Sequence, residues 1–289
     1  MITGSIETKK RNPISTEGSR FPLNRDLLSR MVFVLFLIVT LRIFFDLNDC
    51  RKRGLQCKYD LKSQVHEHKI DLGIKVSVIV PTLNEAETLP NLLRSISTQT
   101  YSNIEVVVVD SMSQDGTSLV AEKFGANVIC ASVKSIGYAS DVGARASSGQ
   151  IIVRCDADTI FTPRHVEKVV TKLSCSNAKV LHCGHWYYDG VFLDNFMAFL
   201  YDKYWRQIHK TSGTMTAIRR EAYLDLGGYD RGMKQGEDFD LGSRVLAKYG
   251  PEGIIYDYKS LVTPISARAI RKYGRFQYLI SSARSFTSS

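Results

Sequence analysis

Short apolar runs alternate with amphipathic segments from residue 74 onward. Four runs have the length and β-branched content of strands, at residues 74–80, 104–109, 127–130 and 151–155. Segments with apolar side chains at helical spacing lie between them, at residues 89–96, 117–124 and 138–147. This alternation predicts an α/β domain with a mostly parallel sheet. The four consecutive valines of the second run suit a strand that is covered on both faces.

A longer apolar run precedes this domain at residues 31–41. A helix that spans a bilayer needs about 20 mainly apolar residues, a length that residues 27–47 reach only by including Arg30, Arg42 and Asp46. We expect a transmembrane or signal-anchor helix at residues 27–47, with an interfacial amphipathic helix or a helix packed on the protein as alternatives. Basic residues flank both ends, so their distribution does not decide the orientation. We favour the cytoplasmic face.

The formal net charge of +9 is concentrated outside the central domain. Residues 1–58 hold 11 Lys and Arg against 5 acidic residues, and residues 258–289 hold 6 against none, whereas residues 59–257 carry a net charge of −3. A nucleic-acid-binding protein would concentrate positive charge on its folded domain. We therefore expect a membrane with anionic lipid as a partner, and no nucleic acid.

Composition and pattern together divide the chain into five segments. These are a disordered basic N-terminus (1–26), the membrane helix (27–47), a linker (48–72), the α/β domain (73–260) and a basic C-terminal tail (261–289).

Three polar turns follow predicted strands. They read PTLNE at residues 81–85, DSMSQDGT at residues 110–117 and DADT at residues 156–159. Ligands bind at the carboxyl ends of the strands in open parallel sheets. We therefore expect these three turns to meet at one edge of the sheet.

Asp156 and Asp158 form a D-x-D pair directly after the fourth predicted strand. Alternate side chains of an extended segment lie on the same side, so both carboxylates can reach one hard cation. Mg²⁺ or Mn²⁺ held in this way binds substrate phosphates and stabilises a departing nucleoside diphosphate. The alternative is an ordinary acidic turn. The HCGH sequence at residues 182–185 lacks the second half of a zinc site, so we interpret it as polar residues at a strand end.

Three further acidic residues are candidates for chemistry. Asp110 follows the valine run, from where its side chain can reach a nucleobase or ribose, although it can instead cap a tight turn. Glu237 and Asp238 begin a predicted helix, and we take Asp238 as the candidate base that removes the proton of an attacking hydroxyl. An acidic helix start is also favoured by the helix dipole alone.

These segments together resemble the family-2 glycosyltransferases with the GT-A fold. The resemblance covers residues 76–244 and includes VSVIVPTLNEAETLPNLLRSISTQTY, VVVVDSMSQDGT, ASDVGARASSGQIIVRCDADT and GTMTAIRREAYLDLGGYDRGMKQGEDFDLGSR. It implies a Rossmann-like, mostly parallel central sheet flanked by helices. It also implies inverting transfer of a sugar from a nucleotide-diphospho-sugar, with Mg²⁺ or Mn²⁺ as the cofactor.

The resemblance assigns roles to particular residues. Those that line the nucleotide pocket are Pro81, Asn84, Glu85 and Asp110. Those that handle the metal and the diphosphate are Asp156 and Asp158. Gly213 and Thr214 lie near the donor sugar or the acceptor, Asp238 is the acceptor base, and Arg244 braces the acidic helix.

The sequence departs from the family pattern in three places. Ser111 stands where a second aspartate often follows Asp110, and Ala139-Ser140-Asp141 stands where Ala-Arg-Asn is usual. The chain has no Q-x-x-R-W motif and no block of C-terminal membrane helices. We therefore do not expect a processive polysaccharide synthase.

The acceptor is the least defined partner. Residues 191–209 carry aromatic side chains at roughly helical spacing, which suits a helix packed on the sheet or a surface for a lipid-linked acceptor. We expect a glycan or a lipid-linked acceptor.

A basic helical face near the C-terminus is formed by Arg268, Arg271, Lys272 and Arg275. This face suits solvent, lipid headgroups or the donor diphosphate.

Two other functions are alternatives. A nucleotidyltransferase would need a Gly-rich loop with Arg or Lys after the first strand, and PTLNE lacks both. A catalytically inactive membrane-bound scaffold with the same fold is the second alternative.

Overall fold

The computed structural model describes residues 25–62, 73–205, 211, 215–233 and 236–275. These residues divide into two compact units, one up to Phe45 and one from Asp46 onward. Within the described residues, the second unit contains a seven-stranded sheet with helices on both faces. The strands are β1 (Val76–Thr82), β2 (Ile104–Asp110), β3 (Asn127–Cys130), β4 (Ile151–Cys155), β5 (Val180–Tyr187), β6 (Met215–Arg219) and β7 (Ile254–Ile265).

The helices follow the strands in an alternating order. They are α1 (Arg25–Lys62), α2 (Leu89–Ser97), α3 (Thr117–Lys123), α4 (Ile136–Ala146), α5 (His165–Ser174), α6 (Phe192–Leu200), α7 (Arg220–Asp225), α8 (Glu237–Tyr249) and α9 (Arg268–Tyr273). A π-helical turn extends α6 (Tyr201–Trp205), and a 3₁₀ turn precedes β7 (Pro251–Gly253).

The strands lie in the order β3-β2-β1-β4-β6-β5-β7. β1 pairs in parallel with β2 and β4, β2 with β3, and β5 with β7, whereas β6 is antiparallel to both of its neighbours. The predicted mostly parallel sheet flanked by helices is confirmed. The valine-rich β2 lies between β1 and β3, away from the sheet edge, because its apolar side chains are covered on both faces.

Two hydrophobic cores cover the two faces of the sheet. Val78, on β1, belongs to the core shared with α2 and α5. Its neighbour Ile79 belongs to the core shared with α4, α7 and α8. Successive side chains of a strand point to opposite faces, so one strand contributes to both cores. The carboxyl ends of the strands remain free to carry polar turns.

The first compact unit holds the N-terminal part of α1. Its large apolar side chains are exposed from Phe33 to Phe45. The transmembrane or signal-anchor helix expected at residues 27–47 is not supported, because none of the described helices has the length and apolar character needed to cross a membrane.

The C-terminal part of α1 belongs to the second unit and packs on the sheet. Cys50 and Cys57 are buried with Trp186 of β5. The guanidinium of Arg53 is also buried and donates from Nη1 to Asp202 Oδ2 at 3.0 Å. Part of the linker expected at residues 48–72 is therefore helical and packed, because apolar and charged side chains both find partners on the domain.

The folded domain continues beyond residue 260, where we expected it to end. β7 runs to Ile265 in parallel with β5, and α9 follows it directly. The charge pattern alone made this segment look like a basic tail. β7 is stabilised instead by pairing with β5, which lies about 75 residues earlier in the chain.

Gly143 lets α4 approach the sheet closely. A Cβ atom at this position would lie 2.6 Å from Ile79 Cγ2 and 2.7 Å from Val109 Cγ2. Alanine favours a helix over glycine by about 1 kcal/mol, but overpacking a core costs about 1–3 kcal/mol. We predict that Gly143→Ala lowers the free energy of unfolding by about 1–2 kcal/mol in chemical denaturation.

Gly232→Ala is the control for this prediction. Among the described residues, its Cβ would meet one atom, the carboxylate oxygen of Asp230, at 3.3 Å. The free energy of unfolding should stay within about 0.5 kcal/mol of the wild type. An undiminished stability of the Gly143 variant would contradict the close packing of α4 on β1 and β2.

Candidate functional site

A cleft of about 830 Å³ lies at the carboxyl ends of the central strands. Its walls are formed by the turns after β1, β2 and β4, by the start of α4 and by α9. The predicted site residues that line it are Pro81, Asn84, Glu85, Asp156 and Asp158. All three predicted polar turns therefore meet at one cavity, and two of them contribute acidic side chains to its lining.

The turn after β1 is tied to the turn after β2. Asn84 has a positive φ of 57°, a conformation that asparagine tolerates better than most residues. The Asn84 N–H donates to Ser113 Oγ at 2.8 Å, and its Oδ1 accepts from the Gln114 N–H at 2.9 Å. The Glu85 N–H donates to Thr117 Oγ1 at 2.8 Å. These bonds fix the backbone from which Glu85 enters the cleft.

Asp110 is hydrogen-bonded within its own turn. Its Oδ1 accepts from the Ser113 N–H at 3.2 Å, and the hydroxyls of Ser113 and Ser118 also donate to its carboxylate. Its neighbour Ser111 is among the residues that line the cleft. Asp110 therefore orders its own turn, and its contact with a nucleobase or ribose stays a prediction.

Asp156 and Asp158 each pair with an arginine. Asp156 Oδ1 lies 3.0 Å from Arg154 Nη2, and Asp158 Oδ2 lies 3.0 Å from Arg268 Nε. Burial, followed by the charge of Asp156, raises the pKa of Asp158 to about 7, although Arg268 acts in the opposite direction. The charge of each carboxylate disfavours ionisation of the other, so a cation near both is favoured.

Arg268 joins two walls of the cleft. Its Nη1 donates to Glu85 Oε2 at 2.7 Å, while its Nε pairs with Asp158. The other arginines of the predicted basic face also contact acids, Arg271 with Asp189 at 2.7 Å and Arg275 with an acid of α6. This face is therefore largely neutralised by the domain itself.

Glu237 and Asp238 begin α8, as the sequence predicted. Neither side chain is part of the cleft wall among the described residues. Both interact electrostatically with Arg154 and with Asp156. Burial, together with the charge of Asp238, raises the pKa of Glu237, and Arg154 opposes this rise. Arg154 thus interacts with both the D-x-D turn and the start of α8.

Three other predicted positions complete the comparison with the sequence. Gly213 and Thr214 lie outside the described residues. Arg244 lies on α8 and pairs with Asp240 one turn earlier, with Nε to Oδ2 at 2.9 Å, and its Nη1 donates to the Leu226 carbonyl at 2.6 Å. It therefore ties α8 to the end of α7 rather than contacting the two acids at the helix start.

The sequence reasoning missed Arg154. Its side chain is only 4% exposed, yet it lines the cleft. The available signal was an arginine inside the otherwise apolar run IIVRC, since a charge in a buried strand needs a partner or a function.

The carboxylates suit a divalent cation that is shared with a ligand. Asp156 and Asp158 are hard oxygen donors, and the described residues contain no group of three or more His, Cys, Asp or Glu that could hold an ion alone. Mg²⁺ is commonly held by one or two carboxylates together with substrate phosphates. His182 and His185 lie buried in β5, where their Nδ1 atoms contact Thr216 and Asp202 at 3.2 and 2.8 Å.

Comparison with known proteins assigns the fold to a family. The model described as "Glycosyl transferase family 2" matches residues 77–227, just over half of the 289 residues. The chain belongs to glycosyl transferase family 2. The matched segment contains the turns after β1, β2 and β4 but ends before α8 and α9.

Curated relatives named as glycosyltransferases match this chain over parts of their length. The chain is 36% identical to glycosyltransferase AglE of Haloferax volcanii over 107 residues, 34% of this chain and 35% of that protein. It is 29% identical to an uncharacterized glycosyltransferase of Haemophilus influenzae over 184 residues, 59% and 62% of the two chains. The chain therefore spans about a third to three fifths of the length of these two relatives.

Solved structures share the fold at low sequence identity. Glucosyl-3-phosphoglycerate synthase from Mycobacterium tuberculosis, in complex with Mn²⁺, UDP and glucosyl-3-phosphoglycerate, superposes with a TM-score of 0.55 and 23% identity, covering 71% of this chain and 77% of that one. A mannosyltransferase from Pyrobaculum calidifontis, in complex with GDP-Man and Mn²⁺, gives a TM-score of 0.53 and 22% identity, covering 83% and 73%. Both comparisons support the family-2 fold.

The raised pKa of Asp158 has a consequence for stability. Between its ordinary pKa and about 7, the folded chain binds this proton more tightly than the unfolded chain does. The free energy of unfolding contributed by Asp158 therefore falls as the pH rises through this range. We predict that Asp158→Asn, measured with a chelator present, is more stable than the wild type at pH 8 by on the order of 1–2 kcal/mol, and that this gain shrinks toward pH 5.

Asp115→Asn is the control with the opposite sign. Hydrogen bonds from Thr117 and the Ala86 N–H lower the pKa of Asp115. Its ionised form therefore stabilises the fold above its ordinary pKa, and the variant should lose stability at pH 8. Equal pH profiles for the wild type and the Asp158 variant would refute the raised pKa.

Proposed function

We propose that this chain transfers a sugar from a nucleotide-diphospho-sugar to an acceptor hydroxyl, with inversion, in the cleft described above. The observation that carries the proposal is the convergence of Glu85, Asp156 and Asp158 on one cavity at the carboxyl ends of β1 and β4. Family membership supports the reaction class. Inversion by a single displacement needs one base on the side opposite the leaving group.

The donor diphosphate would bind where acidic and basic side chains line the same cleft. Asp156 and Asp158 are the residues that would hold Mg²⁺ or Mn²⁺, and such an ion stabilises the negative charge of a leaving nucleoside diphosphate. Lys134, Arg268 and Lys272 line the same cleft and offer cationic groups to phosphate oxygens. The Mn²⁺ and the nucleotides bound in the two neighbouring structures support this assignment.

Asp238 is the proposed base that accepts the proton of the acceptor hydroxyl. It lies in the first turn of α8 and interacts electrostatically with both Arg154 and Asp156. Its Oδ1 accepts from the N–H of Phe239 at 2.9 Å, which fixes the side-chain direction. Its buried neighbour Glu237 remains the second candidate for this role.

The proposed acceptor is a glycan or a lipid-linked molecule. The N-terminal end of α6 exposes Val191, Phe192 and Leu193, and the rings of Phe192 and Phe196 stack with centroids 6.2 Å apart. An exposed aromatic surface of this kind suits a sugar face or an isoprenoid chain. Residues 206–209 of the predicted aromatic segment lie outside the described residues.

We predict that Asp238→Asn lowers transfer by at least about 100-fold while nucleoside diphosphate binding stays within about twofold, since only the proton acceptor is removed. Wild type is first screened with UDP-, GDP- and dTDP-sugars and Mn²⁺, and released nucleoside diphosphate is measured. Binding is measured by calorimetry.

Asp240→Asn is the matched control, because Asp240 lies on the same helix turn and pairs with Arg244. It should retain transfer. A wild-type chain that binds donor without releasing nucleoside diphosphate would indicate the inactive scaffold. Release of pyrophosphate from a nucleoside triphosphate and a sugar phosphate would indicate a nucleotidyltransferase.

We also propose that the N-terminal part of α1 lies against an anionic membrane surface, on the cytoplasmic face. Phe33, Phe36, Phe44 and Phe45 are each 59–67% exposed and lie within one short stretch of helix. Contiguous exposed apolar surface of this kind marks an interaction site. The basic residues that flank the stretch suit anionic headgroups.

Sedimentation with vesicles of phosphatidylglycerol and phosphatidylcholine tests this proposal. Burial of a phenylalanine side chain contributes about 1.5–3 kcal/mol, so we predict that the double change Phe36→Ser and Phe44→Ser weakens vesicle binding at least tenfold. Leu119→Ser, at an equally exposed position on α3, should leave binding unchanged. Equal binding of all three proteins would contradict a membrane role for this stretch.

A further inference from the structure

Arg154 is a buried arginine with one nitrogen atom that lacks a hydrogen-bond partner among the described residues. It lies on β4, on the face shared with Ile152, α4 and α8. Its Nη2 lies 3.0 Å from Asp156 Oδ1. Its Nη1 is buried and has no hydrogen-bond partner among the described residues. The side chain nevertheless lines the cleft.

Two other internal arginines have partners for both of their Nη atoms. Arg53 donates from Nη1 to Asp202 and from Nη2 to the His185 carbonyl, although its Nε has no partner among the described residues. Arg220 donates from Nε to the Gly149 carbonyl at 2.5 Å, from Nη1 to the Ala144 carbonyl at 3.1 Å and from Nη2 to Ser147 Oγ at 2.6 Å. An arginine with a structural role is expected to be satisfied in this way, because a buried donor without a partner is costly. The free Nη1 of Arg154 therefore indicates a partner that arrives with a ligand.

The position of Arg154 restricts which part of the ligand it meets. Asp156 belongs to the pair proposed to hold the metal and diphosphate. Asp238, which also acts electrostatically on Arg154, is the proposed base. The transferred sugar is joined to the diphosphate and is attacked from the side of the base, so it must lie between these two groups. Arg154 interacts with an acid from each group, so its side chain is close to the place of the sugar.

The surrounding charge restricts the chemistry of the partner. Asp156, Glu237 and Asp238 all act electrostatically on Arg154. The charge of a bound divalent cation is offset by that of the donor diphosphate, so three carboxylates around one guanidinium still leave an excess of negative charge. A carboxylate on the sugar would be repelled there, whereas a neutral hydroxyl accepts a hydrogen bond from Nη1 without adding charge.

We propose that Arg154 is a donor-sugar-binding residue whose Nη1 donates a hydrogen bond to a hydroxyl of the transferred sugar, so that the site takes a neutral sugar in preference to a uronic acid. This inference rests on the proposed function. It adds a residue and a class of sugar to it.

Arg154→Lys is the variant that separates the two contacts of this side chain. Lysine keeps the positive charge beside Asp156 but has a single nitrogen, so it cannot also reach the sugar. Calorimetry with Mn²⁺ compares UDP with UDP-glucose, and GDP with GDP-mannose, in wild type and variant. The sugar-bearing ligand should lose about 10–100-fold in affinity, as expected for a hydrogen bond from a charged donor. The nucleoside diphosphate should stay within about twofold.

Arg220→Lys is the matched control and should leave the ratio between sugar-bearing and sugar-free ligand unchanged. Equal losses for both ligands in Arg154→Lys would show that Arg154 only positions Asp156, and no loss for either would show that it has no role in binding. Both outcomes overturn the proposal. Failure of wild type to bind any of the four ligands would overturn the proposed function and this inference together.

A second measurement uses wild type alone, in case the variant does not fold. UDP-glucuronic acid should bind at least about tenfold more weakly than UDP-glucose, and one of the singly deoxygenated UDP-glucose analogues should lose about tenfold or more. Equal binding of the uronic acid, or analogues that all bind within twofold of UDP-glucose, would refute the hydrogen bond to a neutral sugar.

Discussion

Repulsion between carboxylates is the constraint on which the site depends. Glu85, Asp156 and Asp158 line one cleft, and Glu237 and Asp238 act on the same buried arginine. Two like charges about 4 Å apart repel by about 4 kcal/mol at an effective dielectric constant of about 20. The packed strands and helices hold these carboxylates together in spite of their repulsion. Two arginines, one inside β4 and one on α9, supply the opposing charge.

The sheet topology explains how distant segments supply these groups. β1 and β4 are adjacent and parallel, so the turns after them open at the same edge. The turn after β2 orders the turn after β1 through Ser113, Gln114 and Thr117. β7 then returns beside β5 and carries Arg268 across the opening. The strands thus position the acids, and the short helix α9 adds the guanidinium of Arg268.

Local sequence patterns predicted the parts of this arrangement that depend on local interactions. β3 and β4 have the predicted bounds, because each is a short apolar run ended by polar or turn-forming residues. Asp156 and Asp158 follow a strand and so reach the sheet edge. The orientation of Asp110 depends instead on hydroxyls three and eight residues later. The pairing of Arg268 with Glu85 joins residues 183 positions apart, which no periodicity encodes.

The charge of the cleft links the two ligands of the proposed reaction. With the five acids of the cleft and of the start of α8 all ionised, the two arginines together with Lys134 and Lys272 leave a net negative charge, so a diphosphate alone would enter against this field. A divalent cation on Asp156 and Asp158 would offset this charge and let the phosphates approach Lys134 and Lys272. The same diphosphate would complete the coordination of an ion that the two carboxylates hold only in part. Each ligand would therefore strengthen the binding of the other, and by linkage the coupling is equal in both directions. Arg268 would compete with the cation until the diphosphate binds, because its pairing with Glu85 and Asp158 occupies a carboxylate that the cation needs.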